Sequence, residues 1–208
     1  MHINMKILII GIARSGTTSL LNGISDQGYI KIYEPYLHLN HNKKFTLSDD
    51  TIVLKTIFGQ LPKNYKKEWK EFIKELIPKF DKIIWLDRKN MTEHCESFIN
   101  MHYRDSLQSP SFKEMFKKWK MEEIPKSFNT DTYNKTIYNA LEKEKQSFKE
   151  LVDELNCKIT WYEDLYGKDR IRSLETINKW NLELNPFDLN EYLNPKNKYR
   201  QYTKSSLI

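Results

Sequence analysis

The chain predicts an α/β fold, a central parallel β-sheet flanked by helices in a single domain, and three observations carry that prediction. Short apolar runs alternate with stretches whose apolar residues recur at helical spacing. The first run closes on a glycine-framed polar turn that leads directly into a helical pattern, and 208 residues suffice for one domain, 1–208, with a substantial core. Strands alternating with helices imply parallel pairing, which places ligands where the carboxyl ends of the strands open.

Each element has its own signal. Ile7-Leu8-Ile9-Ile10 is a buried strand ending at Gly11, too short to cross a membrane, and the helix after the turn runs through Leu20, Leu21 and Ile24. Gly28 punctuates, Tyr29 to Tyr33 alternates as a strand, and Glu34-Pro35 ends it. A polar connection with His38 and His41 leads to a third strand, Thr51 to Thr56. From Lys66 to Phe80, Trp69, Phe72, Ile73, Leu76, Ile77 and Phe80 mark one face of a helix. Lys82 to Asp87 is the next buried strand, with Arg88 just past its carboxyl end and a helix predicted after it. Ser, Asn, Pro and Thr then punctuate a loop-rich insertion at about 104–135, in which only Phe112 to Met121 has a helical pattern. A helix follows from Thr136 to Leu155, then a strand from Lys158 to Tyr162 closed by Glu163 to Gly167, and a helix from about Arg170 to Leu184. A basic C-terminal tail, about 195–208, carries Lys196, Lys198, Arg200 and Lys204.

Lys plus Arg, 34, against Asp plus Glu, 28, gives a formal charge of +6 spread along the chain. That balance favours anionic small molecules over nucleic acid, whose binders concentrate their charge. Two cysteines, Cys95 and Cys157, imply no disulfide framework and suit a reducing, cytoplasmic setting. The N-terminal residues read as the approach to the first strand and not as a targeting segment, and no transmembrane segment is predicted.

The turn carries the chemistry. Gly11 and Gly16 frame a loop whose amides can converge on an anion, and Thr17, Thr18 and Ser19 add hydroxyls at a helix N-terminus, where the dipole favours negative charge. The P-loop of nucleotide triphosphatases reads G-x-x-x-x-G-K-[ST]; Gly11, Gly16 and Thr18 fit, but Thr17 stands in place of the lysine and the loop's cation is Arg14. A second anion element lies further on. Arg88 at a strand end and Ser97 in the following helix suit a terminal phosphate, since an arginine fork makes charge-assisted, bidentate bonds.

Arg14 to Leu20, R-S-G-T-T-S-L, resembles the 5'-phosphosulfate-binding loop of sulfotransferases that use 3'-phosphoadenosine 5'-phosphosulfate (PAPS), and Arg88 with Ser97 resembles their 3'-phosphate element. The spacing, with Asn90 two residues after the arginine, is similar to that of bacterial enzymes that modify carbohydrates and glycolipids. Lys55-Thr56 ends its strand as theirs often does, and Trp161-Tyr-Glu-Asp-Leu165 is similar to a family segment whose tyrosine lies near the adenine. The resemblance implies a P-loop-like α/β domain that takes PAPS as donor, releases PAP and needs no metal. It implies that Arg14, Ser15, Gly16, Thr17, Thr18 and Ser19 hold the phosphosulfate, Arg88 and Ser97 the 3'-phosphate, Tyr162 the adenine, and Arg200 in the tail a further cofactor contact.

In-line transfer to an acceptor hydroxyl, on a carbohydrate or glycolipid, needs a base. Glu34 is the first candidate and His38 the second, with Arg14 stabilising the oxygen at which the bond breaks. His38 and His41 on their own are too little for a metal site. The competing expectations are a P-loop nucleotide kinase or nucleotidase, with Asp87 organising magnesium, and a nucleotide- or sulfate-binding module without activity.

Overall fold

The computed structural model describes residues 5–33, 51–59, 68–98, 131–182 and 184–194. Five strands, β1 (Lys6–Gly11), β2 (Ile30–Tyr33), β3 (Ile52–Ile57), β4 (Lys82–Asp87) and β5 (Ile159–Trp161), form one parallel sheet in the order β2-β3-β1-β4-β5. The described helices are α1 (Thr17–Ser25), α2 (Trp69–Leu76), α3 (residues 91–98), α4 (Asp131–Glu154), α5 (Tyr162–Tyr166), α6 (Arg170–Asn178) and α7 (Pro186–Tyr192). The α/β class and its parallel sheet are therefore as the sequence predicts.

The chain divides into two compact units, residues 1–89 with 148–208, and residues 90–147. The first contains the sheet. Every residue of β3 and all but the first of β1 are buried, as expected where helices cover both faces of a parallel sheet. On one face Ile7, Ile9, Val53, Ile84 and Leu86 pack with Leu20, Leu21 and Ile24 of α1, Leu165 of α5, Ile177 of α6 and Leu189 of α7. Gly23 allows that approach, because a Cβ there would lie 2.8 Å from both Leu189 Cδ1 and Tyr192 Cδ1. Alternation along β4 sends Trp85 to the opposite face, where its ring meets Phe148 at 5.6 Å. Phe58 joins Phe148 at 5.3 Å, edge to face, and Trp69 at 4.2 Å. Trp69 Nε1 donates to the Ile57 carbonyl at 3.1 Å, which fixes α2 to the end of β3.

In the second unit, Asn90 Oδ1 accepts from the Glu93 amide at 3.2 Å and caps α3, whose His94 and Cys95 are buried. Burial pushes the Cys95 thiol above its ordinary value of 9.0; Lys145 pulls it back in part, and Glu96 adds to the rise.

Five elements differ from expectation. Helix α2, expected to reach Phe80, ends at Leu76 and tightens into a 3-10 turn at Ile77–Lys79, where Pro78 has no N–H to continue the helical bonds. Tyr162, read as the last residue of a strand, and Glu163 to Gly167, read as its close, instead give a short helix, Tyr162–Tyr166, that starts immediately after β5. The helix expected to reach Leu184 stops at Asn178, because Asn181 adopts a left-handed φ of 48° and breaks the repeat. The chain then forms an unexpected helix, α7, whose signal was Asn185-Pro186: Asn185 Oδ1 accepts from the amides of Phe187 at 3.0 Å and Asp188 at 3.4 Å, while proline suits the first helical position. Finally, α4 begins at Asp131, so the last five residues of the expected insertion, 131–135, are helical. The rest of that insertion, including Phe112 to Met121, and the tail from 195 lie outside the described residues. Among the described residues no helix is long and apolar enough to cross a membrane.

Candidate functional site

Gly11 closes β1 and begins the loop. A Cβ on it would lie 2.6 Å from Thr17 Cγ2 and 2.7 Å from both the Leu86 carbonyl and Ser15 Oγ, so the tight fold-back over the end of β4 requires glycine. Arg14 and Gly16 both take left-handed φ values, 69° and 90°. For arginine that conformation is uncommon, and such residues recur in backbone concavities that hold anions. Ser15 between them is fully buried. Its hydroxyl donates to the Ile12 carbonyl at 2.7 Å and its amide to the same oxygen at 3.2 Å, so both donors brace the loop.

Gly16 is the N-cap of α1. No side chain caps that end, and its first turn holds no acid. The first helical bond runs from the Leu20 amide to the Gly16 carbonyl at 3.1 Å, which leaves the amides ahead of Leu20 without helical acceptors. Thr17 is buried, Ser19 half-buried and Thr18 exposed.

A cation reaches this turn from the neighbouring strand. Ile9 pairs with Lys55, so Lys55 shares the face of β3 that packs on α1. It is 6% exposed, and its Nζ donates to Thr18 Oγ1 at 2.7 Å. In the triphosphatase pattern the Ser or Thr at the Thr18 position coordinates Mg²⁺. Here that oxygen accepts from an ammonium, which adds positive charge to the positive end of the α1 dipole.

β1 and β4 end side by side, with Gly11 opposite Leu86. The chain leaves β1 toward β2 on one side of the sheet and leaves β4 toward β5 on the other, so the crevice between them is the topological switch point. Arg14 follows one strand and Arg88 the other. Asp87, 2% exposed, accepts from the Arg88 amide at 2.7 Å and sets the exit of the chain from β4.

The Arg88 guanidinium carbon lies 3.8 Å from the centre of the Tyr162 ring, and Tyr162 stacks on Tyr166 with centroids 4.5 Å apart and an interplanar angle of 23°. Two groups that close cannot share one face, so Arg88 and Tyr166 cover opposite faces of Tyr162. Tyr166 in turn donates its hydroxyl to the Gly16 carbonyl at 2.8 Å. Gly16 sits so near the pair that a Cβ would lie 2.7 Å from Tyr166 Cε2 and 2.9 Å from Tyr162 Cδ2. Lys89 secures α5 beside the end of β4: its amide donates to Glu163 Oε2 at 2.9 Å and its Nζ to Asp164 Oδ1 at 3.1 Å.

Of the residues singled out from sequence, Arg14, Ser15, Gly16, Thr17, Thr18 and Ser19 form one loop and helix start, and the tyrosine pair links it to Arg88 through Tyr162. Tyr162 thus has Arg88 on one face and Tyr166 on the other. Ser97 lies half-buried on α3 in the second unit. Glu34, His38 and Arg200 lie outside the described residues. Two participants had been given no role: Lys55, whose signal was a charge inside an otherwise apolar strand, and Tyr166, in the same segment as Tyr162. Among the described residues no group of three or more His, Cys, Asp or Glu side chains is placed to hold a metal ion. No protein-family model matches this chain, nor does any curated protein or solved structure.

Proposed function

We propose that the protein is a PAPS-dependent sulfotransferase that transfers a sulfuryl group in line to an acceptor hydroxyl, on a carbohydrate or glycolipid. The observation that carries this reading is the Lys55 ammonium on Thr18 Oγ1. A cation at the oxygen where a triphosphatase binds magnesium disfavours a Mg-nucleotide triphosphate and supplies fixed positive charge for a donor that reacts without metal. Sulfuryl transfer spreads charge over the bridging and equatorial oxygens, so positioning and electrostatic stabilisation carry most of the acceleration, as in phosphoryl transfer.

The residues divide the work as follows. The amides and hydroxyls from Gly16 to Ser19 hold the 5'-phosphate at the N-terminus of α1. Arg14 and Lys55 stabilise the bridging oxygen as its bond to sulfur breaks, and PAP leaves with both bonding electrons. Arg88 binds the 3'-phosphate. Glu34, the residue after the last of β2, takes the proton of the acceptor hydroxyl, with His38 as the alternative base. The two free cysteines support a reducing, cytoplasmic setting.

Calorimetric titration with adenosine 3',5'-bisphosphate and, separately, with Mg-ATP tests the assignment. The bisphosphate is expected to bind tightly and Mg-ATP weakly; tight Mg-ATP binding without bisphosphate binding would overturn the sulfotransferase reading in favour of a nucleotide kinase or nucleotidase. Labelled PAPS with a panel of carbohydrate, glycolipid and phenolic acceptors then reads turnover directly.

A further inference from the structure

Resting on that reading, we infer that Tyr162 and Tyr166 are positioning residues, a strut that holds the Arg88 guanidinium at a set distance from the phosphate loop and so sets the spacing between the two anion subsites. The chain of contacts is continuous. The Gly16 carbonyl accepts from the Tyr166 hydroxyl at 2.8 Å, the Tyr166 ring stacks on Tyr162 at 4.5 Å, and Tyr162 supports Arg88 at 3.8 Å. It joins residues that leave three different strands, β1, β5 and β4.

The Gly16 carbonyl is already the acceptor of the first bond of α1, from Leu20. The Tyr166 hydroxyl therefore grips the same peptide that orients the helix N-terminus. At the other end, an arginine side chain is long and rich in rotamers, and a ring beneath it reduces the number it must abandon when a phosphate binds. A cation stacked on a tyrosine keeps the in-plane N–H fork directed away from the ring, where a dianion can accept from it. With both faces covered, the Tyr162 ring works in this strut and not as a platform for the nucleotide base. Selectivity then comes from a ligand that bears two anionic groups at matched separation.

The test compares the affinity of adenosine 3',5'-bisphosphate with that of adenosine 5'-monophosphate, by calorimetry, in the wild-type protein and in two variants. Tyr162→Leu removes the ring under Arg88 and lowers the advantage of the bisphosphate by about tenfold, with monophosphate binding little changed. Tyr162→Phe keeps the ring and keeps the advantage. A full advantage in Tyr162→Leu overturns the strut; so does its loss in Tyr162→Phe, which would mean that the hydroxyl contacts the ligand itself. Tyr166→Phe folds with its ring in place and weakens both ligands by loosening the Gly16 peptide, and unchanged affinities there would remove the hydroxyl latch. If the wild-type protein shows no preference for the bisphosphate, the sulfotransferase reading fails first and the strut with it.

Discussion

Replacing Lys55 by methionine keeps most of the apolar stem of the side chain and removes the ammonium that donates to Thr18 Oγ1. A fixed cation at a developing oxyanion contributes about 10² to 10³ in rate, so Lys55→Met is expected to lose that factor in turnover with labelled PAPS while the protein stays folded. Turnover within about threefold of the parent would show that Lys55 only braces Thr18. At this scale much of the site was legible, because its signals are local: glycines at a fixed spacing, hydroxyls at a helix start and an arginine at a strand end. Lys55 was harder to assign, since a lysine near a strand end is usually solvated, and only the pairing of Ile9 with Lys55 turns it toward α1.

Helix α7 turns on one residue at its start. Asn185 accepts from two amides, so Asn185→Ala is expected to lower stability by about 1 kcal/mol, read as a shift in the urea midpoint without a change in slope. An unchanged midpoint would mean that packing alone holds the helix, through Leu189 against the sheet and α1. Boundaries were the part of the elements least legible in sequence. The helix expected from Arg170 runs on to Leu184, and Trp180, Leu182 and Leu184 do pack against the core, but from beyond its observed end at Asn178. A left-handed Asn181 is the physical reason, and an asparagine within a helical pattern does not announce it. Likewise Glu163 to Tyr166 looked like a strand exit, although acids in a first turn suit a helix start equally well.

Across the first unit, the face of the sheet away from α1 rests on Phe148, which is fully buried against Phe58 and Trp85. Phe148→Ala leaves a cavity that neither flat neighbour can fill, and a loss of about 3 to 5 kcal/mol is expected by chemical denaturation. A loss below about 1 kcal/mol would mean that this face repacks freely. The fold class was determined by the sequence alone, because strand and helix periodicities are short-range and their alternation permits few arrangements besides a parallel sheet. The glycine-framed turn before α1 was determined in the same way, by Gly11, Gly16 and the hydroxyls that follow. Strand order was not, and with it went the placement of several residues. Only the tertiary structure set β1 between β3 and β4, which brought Lys55 to Thr18 and placed Arg14 and Arg88 on the two strands that flank the switch point. It also set Tyr162 in a stack between Arg88 and Tyr166. Those contacts join residues far apart in the chain, and it is the pairing of strands and the packing of helices on them, not any local propensity, that brings such residues together.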